Sequence, residues 1–337
     1  MAEIRKGKKQ DHHIVAKSYL NQWKGEDGQL QLFTHDDGKY LKRGSNWVGF
    51  KKQNYNIYEE DANFFIPERI TEDIDGQGIN VIRSLVFGQE LTVYQRSVIS
   101  QFVALQYVRT PRFRKETDLM LEEQIKEPFL EHQRKLTDEE LLQMKKDVLT
   151  EKSGDERDRK AIQEINAMSD EEFIDMYKDF ISSSDNMRVG LNNFGHSKHI
   201  FKVSKKAKGL FSFMWFLLEA AESSYFITSD NPCFAVPKEG YNFGVGLFSK
   251  NGLVIFPLRP DLCLIISPAA ESGDERFKKL SKTQTKEINQ FILKNSHEVV
   301  AARQIQHLKS LLKGYKHNKL REVKTKEFGD YKLISLI

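Results

Sequence analysis

The sequence predicts an α+β protein with a helix-rich core, strands from both ends of the chain, and a charged helical insertion. Strand-like segments cluster near both ends of the sequence, helical periodicity dominates between them, and the two do not alternate as βαβ units would. The 337 residues are 39% hydrophobic and 30% charged, which provides enough apolar material for one large or two smaller cores.

The first elements are a short helix and a hairpin. The phrase "DHHIVAKSYLNQW" at 11–23 opens with two histidines and continues as an apolar, helix-like run. Residues 29–34 and 39–43 alternate apolar and polar side chains around Asp37-Gly38, a pair that favours a hairpin turn. We therefore expect two paired strands there.

Two helices follow the hairpin. The first begins near Pro67, since proline is favoured in the first helical turn. The second contains apolar residues at helical spacing and ends against Thr110-Pro111, because the residue before proline disfavours the helical conformation. Its apolar positions are Val98, Phe102, Leu105 and Val108.

Residues 119–187 predict a charged helical insertion in a core formed by residues 1–118 and 188–337. Thr137 and Ser169 are typical N-caps followed by acidic first turns. A flexible point is expected near Ser153-Gly154. A coiled coil is the alternative, but no heptad repeat persists.

The C-terminal half supplies most of the remaining strands. Residues 209–236 predict a buried helix and then a strand at 225–229. "GLVIFPLRPDLCLIIS" predicts two apolar strands separated by prolines. A helix, a short strand near 297–301, a further helix and a final strand in "YKLISLI" complete the chain.

Positive charge is concentrated in two tracts although the net charge is only +4. Residues 198–208 contain five lysines and no acid, and residues 301–332 contain nine Lys or Arg against three Asp or Glu. These tracts favour a polyanionic partner such as nucleic acid or a nucleotide. A solvated surface is the alternative, and the oligomeric state stays open.

Cysteine content and hydropathy predict a cytoplasmic protein without a membrane span. Cys233 and Cys263 lie in apolar runs where buried, inert thiols are expected, so a disulfide framework is excluded. No run approaches the roughly 20 apolar residues that a membrane-spanning helix needs.

Five phrases of the sequence carry a family resemblance: "HHIVAKSYLNQW", "ITEDIDGQGINVIRSLVFGQELT", "FVALQYVRTPRFR", "YFITSDNPCF" and "FPLRPDLCLIIS". Together they resemble the bacterial family known as domain of unknown function 4238. Aligned on Tyr19-Leu20, the family's histidine falls on His13 and its proline falls on Ala16. The resemblance implies a fold and a bacterial or phage-related context, but no established activity.

Three residues are candidates for catalysis: His13, Arg109 and Asp230. Histidine exchanges protons near neutral pH, which suits general acid–base work. Asp230 directly follows an apolar strand, where a carboxylate is held rigidly and can act as a base or a metal ligand. Each has a structural alternative, in which His13 opens a helix, Arg109 complements a helix dipole and Asp230 shapes a turn.

Four further residues are candidates for binding a substrate. Arg112 and Arg114 lie with Arg109 around one rigid turn, and guanidinium groups bind phosphate or carboxylate. Thr228 and Asn231 flank Asp230 in "TSDNP". Structural pairing of the arginines is the alternative.

We therefore expect a phosphodiester- or nucleotide-directed hydrolase. That it acts in antiviral defence or as a toxin is what the family resemblance implies. The cofactor is unknown, although a divalent metal shared by His13 and Asp230 would fit this chemistry. The alternative is a non-catalytic ligand- or nucleic-acid-binding or sensor protein that uses the same polar groups.

Overall fold

The computed structural model of the chain confirms the α+β class. Helices are the more abundant element, and the strands form two larger sheets and two hairpins. The structure describes residues 14–47, 57–59, 62–64, 66–150, 156–183, 187, 189–191, 198–238, 245–269, 274–313, 315, 323–328 and 331–336.

The chain divides into two compact units. The first comprises Met1–Glu116 and Leu191–Ile337, and the second comprises Thr117–Gly190. These limits lie close to those expected for the core and the insertion. Whether the second unit folds as an independent insertion stays a prediction.

The elements up to the end of the second unit begin with a short α-helix that continues as a 3₁₀ turn at Asn21–Trp23. In chain order they are α1 (Lys17–Leu20), β1 (Leu30–Thr34), β2 (Tyr40–Arg43), β3 (Ile57–Glu59), β4 (Ala62–Phe64), α2 (Ile66–Ser84), α3 (Val93–Val108), α4 (Pro111–Gln133), α5 (Asp138–Thr150), α6 (Glu156–Ala167) and α7 (Asp170–Ser182).

The remaining elements return to the first unit. In chain order they are α8 (Val203–Ser212), β5 (Met214–Glu219), β6 (Thr228–Ser229), β7 (Phe234–Pro237), β8 (Gly252–Arg259), β9 (Leu262–Ser267), β10 (Glu275–Lys279), α9 (Lys282–Asn295), β11 (Val299–Ala302), α10 (Ile305–Leu312), β12 (Val323–Phe328) and β13 (Tyr331–Leu336).

The predicted hairpin is confirmed as β1 and β2, which pair antiparallel. Gly38 has a φ of 64°, a conformation that L side chains rarely adopt, and this explains the glycine in the turn. β1 also pairs antiparallel with β11, so strands from the two ends of the chain share one sheet. That sheet has the order β2-β1-β11-β6.

Helix α3 is the central core helix that the sequence predicts. Thr92 caps its N-terminus: the side chain accepts the Gln95 backbone N–H at 3.1 Å, and Gln95 Oε1 accepts the Thr92 N–H at 2.9 Å. α3 packs between α2 and α8. Where α2 crosses α3, a Cβ added to Gly78 would lie 2.5 Å from Phe102 Cδ2, so only glycine permits this close approach.

Arg96 links α3 to the strand that follows α8. Its guanidinium donates to Glu275 Oε1 at 2.8 Å and to the carbonyl oxygen of Phe211 at 2.8 Å, and it lies 4.3 Å from the Trp215 ring centroid. These buried contacts hold the C-terminal end of α8 against the N-terminal part of α3.

One expectation for the core was wrong. Residues 209–236 were expected to begin with a buried helix, but Met214–Glu219 is the strand β5. β5 pairs with β9 on one side and with β10 on the other, in the sheet of order β10-β5-β9-β8-β7. A short apolar run is compatible with either element, and the two neighbouring strands decide in favour of a strand.

The second unit contains helices, as the sequence predicts for 119–187. Ser169 caps α7 and accepts the Glu172 N–H at 3.2 Å. Lys145 on α5 is buried and donates to Asp170 Oδ1 at 2.9 Å and to the Met168 carbonyl at 2.8 Å. The expected flexible point at Ser153-Gly154 lies outside the described residues.

Candidate functional site

A shallow pocket brings two of the sequence phrases together. It lies in the first unit where the "RTPRFR" turn meets the loop after "TSDNP", and its volume is about 240 Å³, including space that is open to solvent. It is lined by Tyr107, Thr110, Arg112, Phe113, Glu116, Asn231, Cys233, Phe234, Ala235 and Val245.

Arg112 is the cationic residue of this pocket. Its Nε donates to Glu116 Oε1 at 2.7 Å, one helical turn further along α4. Its Nη1 donates at 2.5 Å to Oδ1 of Asn295, the last residue of α9. The Arg112 side chain is 16% exposed, so it is held in place yet reaches the surface.

The "TSDNP" loop forms hydrogen bonds with the end of α9 and with the segment that leads into β11. Asp230 is buried, and its two carboxylate oxygens accept the backbone N–H groups of His297 at 2.8 Å and Glu298 at 2.6 Å. Asn231 Nδ2 donates to the Asn295 carbonyl oxygen at 2.8 Å. Burial raises the pKa of Asp230, and the two backbone hydrogen bonds oppose this rise.

Thr228 lies in the core beside the first helix. Its hydroxyl is 2.9 Å from the Tyr19 hydroxyl, which also donates to the Pro257 carbonyl oxygen at 2.6 Å. Both side chains are fully buried. This contact joins "SYL" of the opening phrase to the "TSDNP" and "FPLRP" phrases and accounts for Thr228 through packing.

Arg109 forms a bidentate ion pair with Asp75 of α2. Nη1 donates to Asp75 Oδ2 at 2.8 Å and Nη2 donates to Oδ1 at 3.0 Å. The Arg109 side chain is 2% exposed and that of Asp75 is 18% exposed. Burial raises the pKa of Asp75, and the charge of Arg109 opposes that rise.

Arg114 lies in the first turn of α4. Its backbone N–H donates to the Thr110 carbonyl oxygen at 3.3 Å, and its side chain is half-buried. Of the arginines in "RTPRFR", Arg112 is the one that lines the pocket. The substrate-binding roles of Arg112, Arg114, Asn231 and Thr228 stay predictions.

Lysines of α8 and its N-terminal approach lie next to this pocket. The Phe113 ring, which lines the pocket, lies 6.0 Å from Lys206 Nζ and 5.0 Å from the His199 ring centroid. Burial lowers the pKa of Lys206, and the nearby charges of Lys202 and Lys205 lower it further. We refer to Lys202, Lys205 and Lys206 as the lysine cluster.

Within the described residues, the lysine cluster has no neutralising acidic neighbour. Among the residues that the structure describes, no aspartate or glutamate forms an ion pair with any of its three members. Lys202 and Lys205 are exposed and Lys206 is half-buried. Part of the expected second basic tract at 301–332, namely 314, 316–322 and 329–330, lies outside the described residues.

The three candidate catalytic residues are not brought to one open site in the described part of the chain. His13 lies outside the described residues. Arg109 and Asp230 are buried, have different hydrogen-bond partners, and do not line the pocket. Their catalytic roles stay predictions.

The described residues do not form a metal-binding site. The described ranges contain no group of three or more His, Cys, Asp or Glu side chains placed to hold a metal ion. Cys233 and Cys263 are buried free thiols, and burial raises the pKa of both. The shared metal considered for His13 and Asp230 is untested, because His13 lies outside these ranges.

Sequence reasoning missed four residues around the pocket and the lysine cluster. Glu116 and Asn295 hold Arg112, Phe113 joins the pocket to the cluster, and Phe201 is an exposed aromatic residue beside Lys202. One sequence signal could have identified Phe113 and Phe201: each is an aromatic residue inside a basic phrase, "RTPRFR" and "KHIFK". Asn295 lies 183 residues from Arg112 in the sequence, so their contact leaves no local signal.

None of the described helices combines the length and the apolar character that crossing a membrane requires.

Comparison with known proteins places the chain in a family. No curated protein and no solved structure matches the chain at a significant level. The family model described as "Protein of unknown function (DUF4238)" matches residues 11–305, which is most of the chain. The protein therefore belongs to the DUF4238 family.

Proposed function

We propose that the protein binds nucleic acid through the lysine cluster and the neighbouring Phe113 and Arg112. The observation that carries this proposal is a group of three close lysines without acidic partners in the described chain. Like charges on one helix face repel one another, and a ligand with several phosphates relieves that repulsion. Neutralising the phosphates also releases their condensed counterions, which supplies affinity.

The size of the pocket supports surface binding over enclosure of a small molecule. Sites that enclose drug-sized ligands are concave and bury most of the ligand's surface. The pocket at Arg112 has about 240 Å³, and this figure includes space open to solvent. The pocket is therefore shallow, and a ligand that contacts Arg112 would lie mostly along the surface.

A phosphodiester- or nucleotide-directed hydrolase in antiviral defence or as a toxin is the second candidate. Arg112 favours it, because a guanidinium in a pocket beside Thr110 and Asn231 suits an anionic substrate group. The buried contacts of Arg109 and Asp230 favour binding over catalysis, since both side chains are already held by protein groups. We therefore place binding first.

Salt-dependent binding of labelled oligonucleotides tests the proposal. Affinity of the full chain should fall steeply as salt rises, with a slope set by the number of phosphates neutralised. Lys202→Gln with Lys205→Gln removes two cationic contacts. For a single strand, this double variant should weaken binding and reduce the log–log slope by about 1.4.

Lys39→Gln with Lys42→Gln is the matched control. It removes the same charge from the β1–β2 hairpin, where each lysine is paired with an aspartate. Equal binding by the two double variants, or no binding at low salt, would refute the proposal. Cleavage of the oligonucleotide in the presence of divalent metal, abolished by His13→Ala with folding intact, would instead support the hydrolase.

A cytoplasmic location and a bacterial origin are proposed from the sequence. Both cysteines are free and buried, which accords with a reducing compartment. Fractionation of cells that express the tagged chain tests the location.

A further inference from the structure

Phe201 is an exposed aromatic residue inside the basic tract. It is 43% exposed, although its neighbours Ile200 and Val203 are each 1% exposed and anchored in the core. Within the part of the chain that the structure describes, no aromatic ring packs against Phe201. The buried neighbours fix the backbone, so the ring is presented at the surface from a rigid segment.

The ring shares a helical face with lysines. The Lys202 N–H donates to the Lys198 carbonyl at 3.3 Å and closes one helical turn, and the Lys206 N–H donates to the Lys202 carbonyl at 3.2 Å where α8 begins. Lys198, Phe201 and Lys202 are therefore spaced i, i+3 and i+4 in this turn. Lys205 lies in the first turn of α8, and all four residues are exposed.

We infer that the ligand of this face is single-stranded nucleic acid and that Phe201 stacks on one of its bases. The inference rests on the proposed nucleic-acid binding and names the form of nucleic acid. An aromatic ring between lysines is the combination by which sequence-tolerant proteins hold an unpaired strand, because every base has a π-face and every linkage has a charge. In a duplex the base faces are already stacked, so Phe201 has no comparable partner there.

An anionic membrane surface is the other polyanion that this face resembles. A helix that lies in a membrane interface buries a broad apolar face in the lipid. Three apolar residues of α8, namely Val203, Ala207 and Leu210, are instead buried in the core formed with α3. Phe201 alone supplies little apolar area for insertion, so the observations favour nucleic acid.

The test compares single-stranded and duplex oligonucleotides of one length by fluorescence anisotropy, with wild type and Phe201→Ala. Loss of one base–aromatic stack should weaken single-strand binding roughly 5- to 150-fold. Duplex affinity and the salt slope should change little, because Phe201 carries no charge. Tyr94→Ala is the matched control, since Tyr94 is 63% exposed at the opposite end of α3 from the Phe113 turn.

The outcomes separate this inference from the proposed function. If nucleic acid binds with a lysine-dependent salt slope but Phe201→Ala leaves single-strand affinity unchanged, the stacking inference is overturned and the proposed function stands. The same holds if duplex affinity falls equally. Absence of any oligonucleotide binding overturns both, and Phe201-dependent binding to phosphatidylserine vesicles in that case identifies a membrane ligand. Circular dichroism of each variant establishes that it is folded.

Discussion

The pair between Arg109 and Asp75 offers a direct test of whether Arg109 serves stability or a substrate. Removing one partner of a buried ion pair leaves the other charge uncompensated and costs about 3–5 kcal/mol. Asp75→Ala leaves the guanidinium of Arg109 stranded at 2% exposure, so its cost should lie near the top of that range. Arg109→Ala leaves a carboxylate that is 18% exposed and can hydrate, so its cost should lie near the bottom.

A double-mutant cycle supplies the assay. Urea unfolding is followed by circular dichroism for wild type, the two single variants and the double variant. The double variant should be more stable than the sum of the single losses predicts, with a coupling energy of about 1–3 kcal/mol. Arg112→Ala is the control from the same turn, and it should cost less than either single variant because its ion pair with Glu116 is partly exposed.

Two results would refute this reasoning. One is an Arg109→Ala variant with unchanged unfolding free energy. The other is strict additivity of the two single variants, which would mean that the pair contributes no mutual stabilisation. Either result would return Arg109 to consideration as a residue that contacts a substrate.

Three further predictions concern the packing of α2, the loop after β6 and the helical insertion. Gly78→Ala should destabilise the protein by about 1–3 kcal/mol, because the added methyl group clashes with the Phe102 ring. Gly76 has open space around it, so Gly76→Ala should stabilise the protein by about 0.5–1 kcal/mol. Equal effects of the two variants in thermal unfolding would contradict the close approach of α2 and α3. Asp230→Asn should cost about 1–3 kcal/mol, because an amide offers one acceptor to two backbone N–H groups. Since burial raises the pKa of Asp230, the folded state binds its proton more tightly than the unfolded state, and the stability advantage of wild type over Asp230→Asn should shrink as pH rises above about 4. An advantage that grows with pH in urea titrations would mean that the backbone hydrogen bonds outweigh burial. Limited proteolysis should cleave near Gly154 before it cleaves within 95–110, and the reverse order would contradict an independent insertion.

Local patterns predicted the elements whose signals are local. The hairpin around Gly38 was predicted because its turn chemistry is specific. Helix α3 was predicted because its apolar spacing and its terminal proline agree. β5 was not predicted, because "MWFLLE" is short and apolar and its identity depends on strands 262–267 and 275–279. Pairing between distant strands leaves no mark on the local pattern.

The candidate site was predictable only in its composition. The basic tract at 198–208 and the arginine turn were visible as charge, and the structure joins them through Phe113. The partners that bury Arg109 and Asp230 were not visible. Asp75 lies 34 residues before Arg109, and the donors to Asp230 are backbone groups 67 and 68 residues after it. A backbone N–H is present at almost every residue, so no sequence motif indicates which of them will donate to Asp230.

The pairing of Thr34 with Val299 sets an order of events during synthesis. A ribosome that adds about 5–20 residues per second needs roughly 13–53 s to travel from the first strand to its partner. Throughout that interval the edge of β1 that later pairs with β11 has no partner strand from its own chain. An open strand edge is a template for pairing with other chains. We expect the helices at 117–190, which are synthesised earlier, to fold on local contacts, whereas β1 can pair with β11 only after residue 299 has been added. A nascent chain truncated before residue 299 should therefore depend on a chaperone to stay in solution.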